Sequence, residues 1–214
     1  MNSFLFLLKS NSMKSYLFFI IVLITSLSIS QNEEALIEEI EAYQASENES
    51  FANPETTVLE PADFESFEAL EFYPIDLKYR VTAAFIRTPN EKPFLMPTTT
   101  ERLPEYVKYG EAHFSLEGKD FVLELYQNTT PSEDPKYKDY LFLPITDLTS
   151  GNGSYGGGRF LEVYIPEGET IVLDFNKLYN PYCAYNKRYS CPIPPKQNDL
   201  LVRIEAGVKD FGHH

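Results

Sequence analysis

Between Tyr79 and Ala206 the chain is cut into short segments of strand character, each closed by a turn signal, with little helical periodicity among them. This pattern narrows the choice of fold more than any other feature. Tyr79–Ile86 is rich in β-forming residues. Tyr106–Leu116 alternates through Ala112, Phe114 and Leu116, and Glu117-Gly118 then reads as a two-residue hairpin turn. Phe121, Leu123 and Leu125 alternate on the return. Tyr140–Pro144, Arg159–Ile165, Thr170–Phe175 and Leu200–Ala206 supply further segments, with Glu167-Gly168 as a second turn signal. Strands that arrive in sequence on short connections pair antiparallel, because a parallel pair needs a long crossover. The expectation is a mainly β fold, a single antiparallel sandwich or barrel-like roll.

The N-terminal region has a different character. Lys14 precedes an apolar run over 16–24, and Ser28 and Ser30 put small side chains before Gln31. That is the layout of a cleavable export signal over residues 1–30, and the apolar run is short for a membrane span. No cysteine lies in residues 1–30, which excludes a lipid-anchored cysteine. The expected localisation is periplasmic or extracellular, with no stable membrane span after cleavage. Asn32 can cap a helix whose first turn holds Glu33 and Glu34, and Leu36, Ile40 and Tyr43 share one face to about residue 45. Residues 46–57 read as a linker broken by Pro54. Residues 31–60 thus form an acidic helix and linker, and 61–211 the mainly β domain. Pro61–Pro74 opens that domain with a short helix or turn carrying Phe64, Phe67 and Leu70.

Charge excludes some partners. The formal net charge is −14, and residues 31–76 hold 14 Asp and Glu with no Lys or Arg. Phosphate backbones and anionic membranes both need a basic face, so nucleic acid is not an expected partner. The acidic arm is either a solvated surface or an attractor of cations.

The densest chemistry lies in Asp174–Pro195, DFNKLYNPYCAYNKRYSCPIPP, which has both cysteines, four tyrosines and four prolines in 22 residues. No helix or strand asks for that mixture, and rigid loops of this kind are clamps or binding surfaces. In an exported chain, Cys183 and Cys191 most simply form a disulfide. A metal site is not expected: zinc knuckles use a tighter spacing, and His113 is the only histidine outside the tail. Tyr179, Tyr182, Tyr185 and Tyr189 can stack on a ligand or pack the loop down. Gly151–Gly156 matches G-x-G-x-x-G but runs into β-rich sequence, so it is not a dinucleotide fingerprint, and no cofactor is expected. A loop of exposed amides with Ser154, Tyr155 and Arg159 could instead hold an anionic group. Asp147 could cap a turn or pair with Asp174 in acid–base work. Asp174, which shares a strand face with Asn176, could equally accept hydrogen bonds from amides of the proline-rich loop.

The segments FEALEFYPIDLKYRV (67–81), YGEAHFSLEGK (109–119), LFLPITDLTSGNGSYGGGRFLEV (141–163), DFNKLYNPYCAYNKRYSCPIPPKQN (174–198) and LVRIEAG (201–207) resemble domain-of-unknown-function family 1684. The resemblance covers about Pro61 to Phe211. Ser154 stands where the family pattern has Thr, and Gly207-Val208-Lys209 where it has Gly-Glu-Lys. The resemblance implies one mostly β domain and no known activity. Family members that look cytoplasmic keep the cysteine pair, which implies a role for the thiols beyond crosslinking.

These readings lead to an exported protein that binds a small polar or anionic ligand between loops 147–159 and 174–198. The residues expected there are Asp147, Ser154, Tyr155, Arg159, Asp174, Asn176, Tyr179, Asn180 and Tyr185. An enzyme using Asp147, Asp174 or Cys183, and a structural envelope protein, are the alternatives.

Overall fold

The computed structural model describes residues 31–130 and 132–212. The expected signal segment, residues 1–30, lies outside the described residues. The chain divides into two compact units, residues 1–41 and 42–214. In the first, residues 31–41 are helical. In the second, the helical run continues to residue 52, and the whole run is called α1.

The second unit is mainly β. Its strands are β1 (Arg80–Arg87), β2 (Phe94–Leu95), β3 (Glu105–Leu116), β4 (Lys119–Asn128), β5 (Tyr140–Asp147), β6 (Arg159–Tyr164), β7 (Thr170–Asp174) and β8 (Asp199–Leu200), with a short helix α2 (Pro61–Ser66) before them. The main sheet runs β6-β5-β4-β3-β1-β7 and is antiparallel throughout. Its two end strands approach each other, so the sheet curls into an antiparallel half-barrel. Glu117-Gly118 makes the β3–β4 hairpin as expected. Both residues take positive φ (51° and 75°), which a type I′ turn demands and which matches the strand twist.

The concave face holds the main core. Leu123, Leu125, Leu141, Leu143, Ile145, Leu161 and Leu173 point into it, and the chain end folds across it with Val202, Ile204 and Ala206.

Three expectations about elements change. Residues 46–52 continue the helix instead of starting a linker, because Phe51 reaches apolar partners: its ring is 4.7 Å from Tyr185 and 6.0 Å from Phe67. Glu167-Gly168 is not a hairpin turn, since β6 and β7 lie at opposite ends of the sheet. Leu200–Ala206 is not a full strand. Only Asp199–Leu200 pairs, in parallel with β5. Beyond it the Val202 carbonyl accepts from Leu148 N–H at 3.0 Å, while Ile204 N–H and the carbonyls of Ile204 and Ala206 bond the side chains of Asp147 and Arg159.

The sheet has one weak seam. β4 and β5 are registered only at Tyr126↔Phe142, and Pro144 has no N–H to give. Asn198, fully buried, fills the gap. Its Oδ1 accepts from Glu124 N–H at 2.8 Å, and its Nδ2 donates to the carbonyls of Glu124 and Pro144 at 2.9 Å each. Asn198→Leu leaves those backbone groups without partners in a dry seam. The expected loss of unfolding free energy is about 2–4 kcal/mol, measurable by urea denaturation.

Candidate functional site

Strand alternation gives this sheet two apolar faces. On β5 and β6, Leu141, Leu143, Leu161 and Val163 face the main core, so Tyr140, Phe142, Phe160, Glu162 and Tyr164 must face the other side. Tyr126 and Tyr106 join that second face from β4 and β3, with Met96 behind β2. Rings meet edge to face there: Phe142–Phe160 at 4.8 Å, and Phe160–Tyr179 at 5.9 Å. The tyrosine–proline loop covers part of this face. Tyr179 pairs with Phe160 through two backbone hydrogen bonds of 2.9 and 3.0 Å.

The part left uncovered is a cleft of about 620 Å³, within the range of small-molecule sites. Its walls are rings: Tyr43 from α1, Tyr106, Tyr140, Phe142 and Phe160 from the sheet, and Tyr137, Tyr179 and Tyr182 from loops. Its charged groups are Glu47 of α1, Glu162 of β6, Arg102 and Lys136. A neighbouring hollow of about 660 Å³ shares Tyr106, Tyr137 and Tyr140, but the rest of its wall is the polar loop 127–138.

The electrostatics single out Glu47. Burial raises its pKa above the ordinary carboxylate value, and the charge of Glu162 raises it further. Among the described residues Glu47 makes no hydrogen bond and no ion pair. Arg102 is committed elsewhere, its Nε to Ser190 Oγ at 3.1 Å and its Nη2 to the Ser190 carbonyl at 2.7 Å. Lys136 sits 5.0 Å from the Tyr137 ring centroid. The phenols of Tyr43, Tyr140, Tyr179 and Tyr182 are all pushed up, first by burial and then by neighbouring charges and rings that include Glu162. They stay neutral and present electron-rich faces. Lys177 already uses one such face, lying 5.8 Å from the Tyr43 ring centroid.

The residues expected to hold a ligand are distributed differently. Only Tyr179 lines this cleft. Arg159 is on the opposite face of β6, with 0% exposure. Its guanidinium bonds Asp147 Oδ2 at 2.9 Å, Thr149 Oγ1 at 3.2 Å and the carbonyls of Ile204, Ala206 and Val208 at 2.9, 2.5 and 3.1 Å. Burial lowers its pKa, and Asp147 opposes that shift. Asp147 Oδ1 accepts from the N–H groups of Thr149 and Ile204. This knot straps the chain end to the sheet, which is why residues 201–206 need no strand partner. An Arg159 so enclosed has no path to a ligand. Ser154 belongs to the same knot through Thr149, with hydroxyls 2.8 Å apart.

Asp174 and Asn176 are likewise occupied. Asp174 accepts from Arg80 at 2.6 Å and caps the turn at Asn176 N–H. Asn176 exchanges two bonds with the Asp76 backbone. Neither aspartate stands free for acid–base work. Asn180 donates to the Tyr185 hydroxyl at 3.2 Å and the Lys209 carbonyl at 2.9 Å, and Tyr185 packs on Phe51 and Phe211. Tyr155 reaches the Cys183 sulfur at 3.9 Å.

The expected disulfide is not formed in this structure. Cys183 and Cys191 are free thiols, held together because the Cys183 N–H donates to Cys191 Sγ at 3.1 Å. Among the described residues no group of three or more His, Cys, Asp or Glu converges to hold a metal ion. No helix among them is long and apolar enough to cross a membrane.

Sequence reasoning missed Glu47, Glu162 and the sheet tyrosines. The signal was present in Tyr140-x-Phe142 and Phe160-x-Glu162-x-Tyr164, where rings alternate with aliphatics, so both faces are apolar and something must cover the second.

Comparison with known proteins agrees with the fold. A family model described as a protein of unknown function (DUF1684) matches residues 65–209. The solution NMR structure of an uncharacterised protein from Haloarcula marismortui superposes with a TM-score of 0.66 at 28% identity, covering 86% of this chain and 99% of that one. No curated protein matches the chain.

Proposed function

We propose that this chain, which belongs to the family of unknown function DUF1684, binds a small organic cation of the ammonium type in its aromatic cleft. The observation that carries the reading is Glu47. A half-buried carboxylate is raised by burial and by Glu162, has no cationic partner, and stands among six tyrosine rings. A cation seated there would relieve the repulsion between the two carboxylates and meet the negative faces of the rings. The expectation of an anionic ligand loses its support, since Arg159 is spent inside the fold.

The reading fixes a pH dependence. A bound cation favours ionised Glu47, so binding expels its proton. Affinity therefore rises with pH through the Glu47 titration and is flat above it. Below that titration it falls by up to about tenfold per pH unit. The chain has no Trp, so its emission comes from its 15 tyrosines, six of which line the cleft, and a ligand seated there changes that part of the signal. In a tyrosine-fluorescence titration with choline, Glu47→Gln is expected to weaken binding about tenfold and to flatten the acid limb. Unchanged affinity and an unchanged limb in Glu47→Gln would remove Glu47 from the site.

We also propose that the protein works outside the cytoplasm. Lys14, the apolar run over 16–24, and Ser28 and Ser30 support this. A mature N-terminus at or near Gln31 in the secreted or periplasmic fraction is the expected result. An intact N-terminus in the cytosolic fraction contradicts it.

A further inference from the structure

The two thiols are unequal by construction. Cys191 is buried, and its backbone is pinned to the segment before β3: its N–H donates to Thr99 Oγ1 at 3.1 Å and its carbonyl accepts from Thr99 N–H at 2.9 Å. Cys183 is partly exposed on a single 3-10 turn, Tyr182–Ala184, that begins after Pro181. Its sulfur faces the Tyr155 hydroxyl, and its own N–H holds the Cys191 sulfur. An accessible thiol beside a fixed, buried one is the geometry of an attacking and a resolving cysteine.

We propose that Cys183 and Cys191 form a thiol–disulfide exchange centre that takes low-molecular-weight disulfides as co-reactant. The Cys183 thiolate attacks one sulfur of the small disulfide. A mixed disulfide forms on Cys183, and one small thiolate leaves and takes up a proton. Cys191 then gives up its proton to the solvent and attacks Cys183 Sγ. The Cys183–Cys191 bond forms, and the second small thiolate leaves and is protonated. Two protein thiols are oxidised and one small disulfide is reduced to two thiols, so atoms and electrons balance. The proposal does not rest on what the aromatic cleft binds, although Cys191 also borders that cleft.

Electrostatics agree with the assignment. The hydrogen bond from the Cys191 thiol lowers the Cys183 pKa to about 6 against its burial, with further help from Tyr155 and Thr99, whereas the Cys191 thiol is raised. The titratable and charged groups facing the pair are Tyr155, itself raised to about 12 mainly by burial, together with Asp210 near Tyr155 and Arg102 near Cys191.

The full chain is reduced, freed of reductant and mixed with oxidised glutathione, and thiols and adducts are followed by mass spectrometry. The wild type is expected to lose both thiols and keep no glutathione. Cys191→Ser is expected to hold one glutathione on Cys183, and Cys183→Ser to stay unmodified over the same time. Alkylation of Cys183 is expected to have its midpoint near pH 6, the value at which the thiolate forms. At pH values below that midpoint it should outpace free glutathione by about tenfold, after allowance for the weaker nucleophilicity of a low-pKa thiolate. A wild type that stops at the glutathione adduct, a wild type that keeps both thiols, or a Cys183→Ser variant that reacts as fast as wild type would each overturn the assignment.

Discussion

Arg159→Met is expected to cost about 3–5 kcal/mol of stability, because it leaves Asp147 charged, buried and stripped of its cation. The wild-type guanidinium serves five acceptors at once: one carboxylate oxygen, one hydroxyl and three carbonyls of the chain end. Methionine fills similar volume and donates to none of them. At roughly 2–4 °C per kcal/mol for a domain of this size, the midpoint of thermal unfolding should fall by about 10 °C. Adding Asp147→Asn should restore part of the loss, since the uncompensated charge is then gone, though the three carbonyls stay unpaired. Thermal unfolding followed by circular dichroism measures both effects. A single-variant loss within about 1 kcal/mol would mean that the knot does not hold the chain end.

Gly207→Ala should be nearly as damaging, for a different reason. Gly207 has φ +73°, and a Cβ there would lie 2.6 Å from Leu178 Cβ, 2.7 Å from the Leu178 carbonyl and 2.9 Å from the Phe175 carbonyl. Two of the three obstacles are backbone atoms that cannot rotate away. The left-handed conformation and the overlap together should cost about 2–4 kcal/mol. The position also couples to Arg159. The carbonyls of Ala206 and Val208, on either side, are two of the Arg159 acceptors, and Tyr73 N–H bonds the Gly207 carbonyl at 2.9 Å. The double variant Arg159→Met, Gly207→Ala should therefore lose less than the sum of the single losses. Strict additivity in chemical denaturation would argue that the two residues act on separate parts of the fold.

These two positions show where sequence reasoning succeeds and where it stops. Period-two alternation and the Glu117-Gly118 turn are local signals, and they carried the antiparallel main sheet, but not the last segment, where only Asp199–Leu200 pairs and does so in parallel with β5. Arg159 and Asp147 were recognisable as important polar residues, but their partners are backbone carbonyls and amides some 45–57 positions along the chain. A carbonyl leaves no mark in sequence, so a buried structural cation and a ligand anchor look alike. Asn198 escaped for the same reason, since all three of its bonds go to distant backbone. The cleft was half legible. The loop tyrosines pointed to an aromatic surface, while Glu47 was hidden because the helix was ended too early, before the Phe51 contact that extends it.

The cleft and its carboxylates are the centre of the functional account. Tyrosine-fluorescence titration of the wild type at neutral pH, with choline in one arm and its uncharged isostere 3,3-dimethylbutanol in the other, tests it most directly. The two ligands share size and shape and differ in charge. Saturable binding of choline, at least about tenfold tighter than the neutral alcohol, is the expected result. Equal binding of both, or binding of neither, would contradict a cleft built to receive a cation.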